Sequence, residues 1–281
     1  MKIILAIDGS RYAGWAVDLL VKLPLAQEPE IHVMHVVDLA LLAQKQAAFP
    51  SVMQGHHKAM YEKINKSLAQ ADQLTARIAE RVRGRWKKTQ PVVEKGHVAE
   101  KIIAHARTWS ADLIILGSRG LSNIQRFLMG SVSQKVVTYA PCSVLVVKRR
   151  VRAIKRFLLA VDGSKPSEAT MLFLKSHFIP EKLRGTVLYV WDYPIHPHPD
   201  SLLLQMLEER YGQPLRQAGY RTEALYVMGN PAAKIVKAAQ RQKADLVVIG
   251  SRGLTGFKKF FLGGVSHKVV KYSPQSVLVV R

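Results

Sequence analysis

The chain repeats itself. Ile3–Ser10 (IILAIDGS) returns as Phe157–Ser164 (FLLAVDGS), and His32–Asp38 (HVMHVVD) returns as Thr186–Asp192 (TVLYVWD), both displaced by 154 positions. Further on, Ala111–Leu121 (ADLIILGSRGL) matches Ala244–Leu254 (ADLVVIGSRGL), and Tyr139–Lys148 (YAPCSVLVVK) matches Tyr272–Arg281 (YSPQSVLVVR), now displaced by 133. Matches recurring in the same order over this length mean one structural plan used twice. The missing 21 positions make the segment between Val36 and Gly96 longer than its counterpart between Val190 and Gly229. A chain of 281 residues gives each copy enough length for its own core. We therefore expect two homologous domains, residues 1–150 and 151–281. The joint falls in Lys148–Arg156, where six of nine residues are basic, and reads as a short solvated connector.

Within each copy, short Val/Ile/Leu-rich runs alternate with helical patterns. The runs are 3–7, 31–37, 90–93, 113–116 and 143–147, then 157–161, 186–190, 222–227, 246–249 and 276–280. Continuous rather than alternating apolar character suits strands of a parallel sheet covered on both faces. Helices are expected at Ala99–Ser110 and at Pro231–Gln242, the latter with Asn230 as N-cap and Pro231 in its first turn. The expected fold is α/β, two repeated doubly wound domains. Ligands of such sheets bind beyond the carboxyl ends of the strands, where the strand order reverses.

The fourth strand of each copy runs into a glycine loop. The first copy reads Gly117-Ser-Arg-Gly120, nine residues, then Gly130-Ser131-Val132-Ser133. The second reads Gly250-Ser-Arg-Gly253, nine residues, then Gly263-Gly264-Val265-Ser266. Glycines allow close backbone approach, and main-chain N–H groups at the start of the following helix attract anions. Ser131 and Ser133 can add hydroxyl donors. Asp8 and Asp162 each end the first strand and precede Gly-Ser, either as turn residues for the next helix or as ligand-facing carboxylates.

The strand-D-G-S opening, the H-V-V-D close of the second strand, and the G-S-R-G-L…G-S-V-S…P-C-S-V-L-V-V ending resemble the universal stress protein family, here as a tandem. The resemblance implies five parallel strands per domain in the order 3-2-1-4-5. It also implies, for members with the glycine motif, binding of ATP or a related adenine nucleotide. By the family pattern, Asp8 and Val36 border adenine and ribose. Gly117, Gly120, Gly130 and Ser131 wrap ribose and phosphates, with Val132 and Ser133 alongside. The second-copy positions are Asp162, Val190, Gly250, Gly253, Gly263, Gly264, Val265 and Ser266. Gly264 stands where the pattern closes with Ser or Thr, which weakens the phosphate recognition expected there. The resemblance further implies pairing of two domains through their final strands, which a tandem can satisfy within one chain or extend to a homodimer.

The expected function is a nucleotide-binding, stress-response or regulatory module. The enzymatic alternative is a slow ATP hydrolase using Mg²⁺, although neither a Walker lysine nor a G-x-S-x-G elbow is present. A third reading comes from charge: 42 Lys+Arg against 20 Asp+Glu leave +22, which favours a polyanion such as nucleic acid or an acidic surface. The basic segment 39–91 holds ten Lys/Arg against three Asp/Glu. In it, Met60, Ile64, Leu68, Ala71, Leu74, Ile78 and Val82 form an apolar helical stripe beside Lys63, Lys66, Arg77 and Arg81. Only Tyr61 and Trp86 interleave with these cations, too few for base stacking. His196, His198 and Asp200 in the Pro-rich stretch lack a spacing that completes a metal site. The lone Cys142 excludes an intrachain disulfide and reads as a small buried hydrophobe. The first apolar run, Ile3–Ile7, is too short for a signal core or membrane span, so a cytoplasmic protein is expected.

Overall fold

The computed structural model describes residues 1–38, 56–121, 129–192, 200–253 and 262–281. His196 and His198 lie outside the described residues, as do the side chains of His56, His57 and Asp200. The first copy runs β1 (Lys2–Ile7), α1 (Arg11–Lys22), β2 (Glu30–Val37), α2 (His56–Arg83), β3 (Thr89–Lys95), α3 (Val98–Thr108), β4 (Leu113–Gly117), α4 (Ser131–Tyr139) and β5 (Ser143–Val147). The second runs β6 (Arg156–Val161), α5 (Lys165–His177), β7 (Arg184–Trp191), α6 (Asp200–Leu207), α7 (Gln213–Gln217), β8 (Arg221–Met228), α8 (Pro231–Arg241), β9 (Leu246–Gly250), α9 (Gly264–Tyr272) and β10 (Ser276–Val280). A π-helical turn, Glu208–Gly212, joins α6 to α7.

The strands form one sheet of ten, in the order β3-β2-β1-β4-β5-β10-β9-β6-β7-β8. Each copy is therefore an α/β unit of five parallel strands, as the alternating pattern predicts, in the order 3-2-1-4-5 that the family resemblance implies. The halves meet where β10 runs antiparallel to β5, with Leu278 opposite Leu145. Both strands read Ser-Val-Leu-Val-Val and are buried throughout, because helices cover the sheet on both faces. The residues of β1 show the division: Ile3, Leu5 and Ile7 face one core, Ile4 and Ala6 the other. A second contact between halves lies beyond α1 and α5, where Leu25 bridges Phe178 and Ala26 N donates to His177 O (2.9 Å).

Local sequence explains the helix boundaries. Ser10, Ser164 and Asn230 cap α1, α5 and α8 by accepting from Ala13, Ser167 and Ala233 N–H groups. The expected stripe of α2 turns inward: Ala71, Thr75, Ala79 and Val82 are buried, with Ile64, Leu68, Leu74 and Ile78 partly so. Lys63, Lys66, Arg77 and Arg81 lie on the exposed side, where Arg81 pairs with Asp18. Trp86 is buried and donates to Leu20 O (3.0 Å), so it supplies no surface aromatic.

The connector differs from the solvated segment its charge suggested. Val151 and Ile154 are buried in the core between the halves. Lys148 Nζ donates to Ser273 O (2.7 Å) and Lys271 O (3.4 Å), fastening the end of β5 to the other copy. Burial, with a smaller contribution from the Arg119 guanidinium, pushes its ammonium down to about 8. The charge run hides two apolar anchors, while Arg149, Arg150, Arg152, Lys155 and Arg156 are exposed.

Candidate functional site

Asp8 leaves the end of β1 at the point where β1 and β4 diverge. Its Oδ1 accepts from Ser10 N (2.9 Å), and Ser10 Oγ donates across to Arg119 O (3.3 Å). Gly9 turns with φ +78°, a conformation that costs other residues strain, and Gly163 repeats it at +80° in the second copy. The Asp-Gly-Ser sequence thus fixes a carboxylate, a sharp turn and a helix cap in three residues.

The glycine loop arrives from the other side. Ser118 N donates to Val147 O (2.8 Å), and Gly130 N returns to Ser118 O (2.8 Å), closing the two ends of the loop. Gly120 presses against Asp8, where a Cβ would stand 2.6 Å from Oδ2. Ser133 is buried and its hydroxyl is used within the loop, donating to Ser118 O (2.8 Å) and Gly130 O (2.9 Å). This hydroxyl staples the loop, whereas Ser131 is exposed at the start of α4. Gly130 caps α4 with no side-chain bond, leaving the first N–H groups of the helix facing the crevice.

All eight first-copy residues singled out from sequence, Asp8, Val36, Gly117, Gly120, Gly130, Ser131, Val132 and Ser133, line one cavity of about 700 Å³. Val36, Val98, Ile102 and Leu116 form an apolar wall, and α2 closes the opposite side with Ser67, Gln70, Ala71 and Leu74. His35 and Arg119 also line it, and neither was singled out as a site residue, although the motifs HVVD and GSRG contain them. His35 Nδ1 lies 2.9 Å from Ile7 O, as a donor to that carbonyl. Burial lowers its pKa, with that bond and Asp8 acting in the opposite direction. Arg119 donates to Tyr12 OH (3.3 Å) and stacks over that ring.

The second copy repeats the frame with altered contents. Gly253 abuts Asp162, Gly263 N donates to Ser251 O (2.8 Å), and Ser266 Oγ donates to Gly250 O (2.7 Å). Ser266 therefore ties α9 back to the end of β9 through Gly250 O, one residue earlier than the Ser118 O used by Ser133. Val190 lies on β7 and is partly buried, as is Gly250's loop partner Gly253; Gly264 and Val265 are exposed at the start of α9. Asp162 is more heavily hydrogen-bonded than Asp8, its Oδ1 accepting from Ser164 N (3.0 Å), Ser164 Oγ (2.5 Å) and Ser167 Oγ (2.5 Å). Ser167 stands where the first copy has Ala13. Beside Gly163 lies Arg210, paired with Glu168 (2.6 Å), where the first copy places Leu74 beside Gly9.

The universal stress protein family model matches residues 1–148 and, separately, residues 153–281. The chain belongs to the universal stress protein family. It carries two of its domains in tandem. A universal stress protein of Mycolicibacterium smegmatis is 27% identical over 99% of this chain and 96% of its own length. One from Thermus aquaticus is 34% identical over 45% of this chain and 98% of its own. The crystal structure of a universal stress protein from Archaeoglobus fulgidus covers the whole chain and 96% of its own with a TM-score of 0.67 at 22% identity, a likeness of fold. Among the described residues, no helix is long and apolar enough to cross a membrane, and no group of three or more His, Cys, Asp or Glu converges to hold a metal.

Proposed function

We propose that the first-copy crevice binds ATP or a related adenine nucleotide and that the chain acts as a stress-response regulatory module. The observation that carries this reading is the meeting of Asp8, the Gly117–Gly120 turn and the open end of α4 around one cavity of about 700 Å³. That volume falls in the range of about 300–1,000 Å³ found for small-ligand pockets. An apolar wall at Val36, Val98, Ile102 and Leu116 suits a flat base. The uncapped N–H groups at Ser131–Ser133, the Ser131 hydroxyl and the nearby Arg119 suit phosphates. Asp8 and Asp38 are carboxylates of the lining, and Mg²⁺ accompanying the nucleotide would be held by them together with the phosphates and water. The second copy binds the same ligand more weakly.

Two measurements test the reading together. Mass spectrometry of the denatured protein should release an adenine nucleotide, and calorimetry should show ATP preferred over GTP. Absence of binding by ATP, ADP and AMP at millimolar concentration would remove the nucleotide reading altogether.

A further inference from the structure

The strand starts of the second copy carry an unusual row of charge. Arg156, Arg184 and Arg221 are the first residues of β6, β7 and β8 and stand directly opposite one another in register. Neighbouring strands lie about 4.8 Å apart, so these are like charges on adjacent rungs, an arrangement that destabilises a sheet. All three are exposed, and they line a recess of about 760 Å³ together with Arg216, Arg241 and Lys243; its lining includes the carboxylate of Glu223, accepting from Thr186 Oγ1 (3.1 Å). Arg216 pairs with Glu208, but among the described residues no carboxylate pairs with Arg156, Arg184, Arg221, Arg241 or Lys243. The same three arginines also border an adjoining cleft of about 510 Å³, to which Lys22, Lys155 and Lys182 contribute beside a single carboxylate, Glu181.

The repeat supplies an internal comparison. At the positions of Arg156 and Arg184 the first copy has Lys2 and Glu30, paired in the same register but opposite in sign. One copy alternates charge where the other concentrates it. A row that costs stability and has no carboxylate partner among the described residues points to an anion from outside.

We propose that this arginine-lined recess binds a linear polyphosphate chain. A polyphosphate is charged at every unit, so it can meet each rung of the row and continue into the adjoining cleft. An extended acidic peptide presents side chains to one face only every ~6.6 Å, two residues at ~3.3 Å each. Single-stranded nucleic acid relies on aromatic platforms for its bases. The aromatics of this recess, Phe157 and Tyr220, are buried at 2% and 3% exposure and pack edge to face against each other. Arginine also suits phosphate through forked, charge-assisted hydrogen bonds. The recess lies at the amino ends of the strands, opposite the Asp162 edge, so it works independently of the nucleotide crevice.

The test is fluorescence anisotropy of end-labelled long-chain polyphosphate with the full chain at about 50 mM and 200 mM salt, where phosphate binding falls steeply. Tripolyphosphate, single-stranded homopolymer RNA, duplex DNA and polyglutamate compete in separate arms. Polyphosphate should bind most tightly of the set. Arg184→Glu, which restores the alternating pattern of the first copy, should weaken it by about ten- to a hundredfold, the loss expected for one charge-assisted contact with its reversal. Arg184→Gln should fall between, and the combined Lys63→Glu, Lys66→Glu and Arg77→Glu variant should match wild type. No polyphosphate binding at the lower salt, equal binding in both Arg184 variants, or tighter binding of RNA, DNA or polyglutamate would each overturn the proposal.

Discussion

Matched substitutions at Gly130 and Gly263 separate the two nucleotide sites. Both glycines are helix N-caps in ordinary extended conformation, φ −68° and ψ 151° in one, −63° and 152° in the other. An added Cβ meets the same surroundings: Arg119 Cα at 3.3 Å and Ser118 O at 3.4 Å, or Arg252 Cα and Ser251 O at the same distances. Aspartate is among the best N-caps, so Gly130→Asp and Gly263→Asp should leave the fold within about 1 kcal/mol of wild type. What each removes is the anion site, because its carboxylate occupies the helix N–H groups and repels phosphate. The copies differ at the next residue, where Ser131 offers a hydroxyl and Gly264 only a backbone N–H. A hydrogen bond to a charged group contributes about 1.5–3 kcal/mol, or ten- to a hundredfold in affinity at ~1.4 kcal/mol per decade. Titration calorimetry of ATP into wild type should therefore show a tight and a weak phase. The tight phase should vanish in Gly130→Asp, survive in Gly263→Asp, and weaken by about ten- to a hundredfold in Ser131→Ala. Loss of the tight phase in Gly263→Asp alone would make the second copy the working site and refute the role given to Ser131.

Three further outcomes are expected. Lys148 holds its proton to about 8 when folded against an ordinary value of 10.5, so the unfolded chain binds the proton more tightly. Stability should then rise between those pH values by about 1–3 kcal/mol, and urea titrations of Lys148→Met should lose that rise; an unchanged profile would contradict the burial argument. Cys142, buried and with its thiol pushed up to about 12, should resist alkylation at pH 8 until the protein is denatured, and rapid labelling of the native form would count against it. ATP turnover should lie well below the ~1–100 s⁻¹ of kinases, since phosphoryl transfer needs a positioned base and metal as well as a phosphate cradle. Turnover of several per second that disappears in Asp8→Ala would establish an enzyme.

Much of the frame was legible because it depends on local pattern. Apolar runs located all ten strands, and the repeated Asp-Gly-Ser and glycine motifs located the ends that the topology brings together. The hydroxyl of Ser133 was not legible, since its use inside the loop depends on where Ser118 O comes to rest. His35 and Arg119 stood within quoted motifs, but only folding shows which neighbours of a motif turn toward the cavity. Charge misled at the connector. The basic connector concealed Val151 and Ile154, whose apolar spacing was outweighed by the surrounding arginines. A further row of exposed arginines crosses β6, β7 and β8, visible only after strands distant in sequence are set in register.

The antiparallel junction of β5 with β10 also bears on how the two copies could change. In an assembly of identical subunits joined across a twofold axis, any substitution arrives on both sides at once, so a change useful at one site is imposed on its mirror image. Here the axis runs through a single polypeptide, and each side of it is written separately. Ala13 can become Ser167, Ser131 can become Gly264 and Glu30 can become Arg184 without altering the counterpart. Fusion has kept the geometry of a symmetric pair while removing its obligation to be symmetric, leaving one copy free to keep a pocket and the other to acquire a different surface.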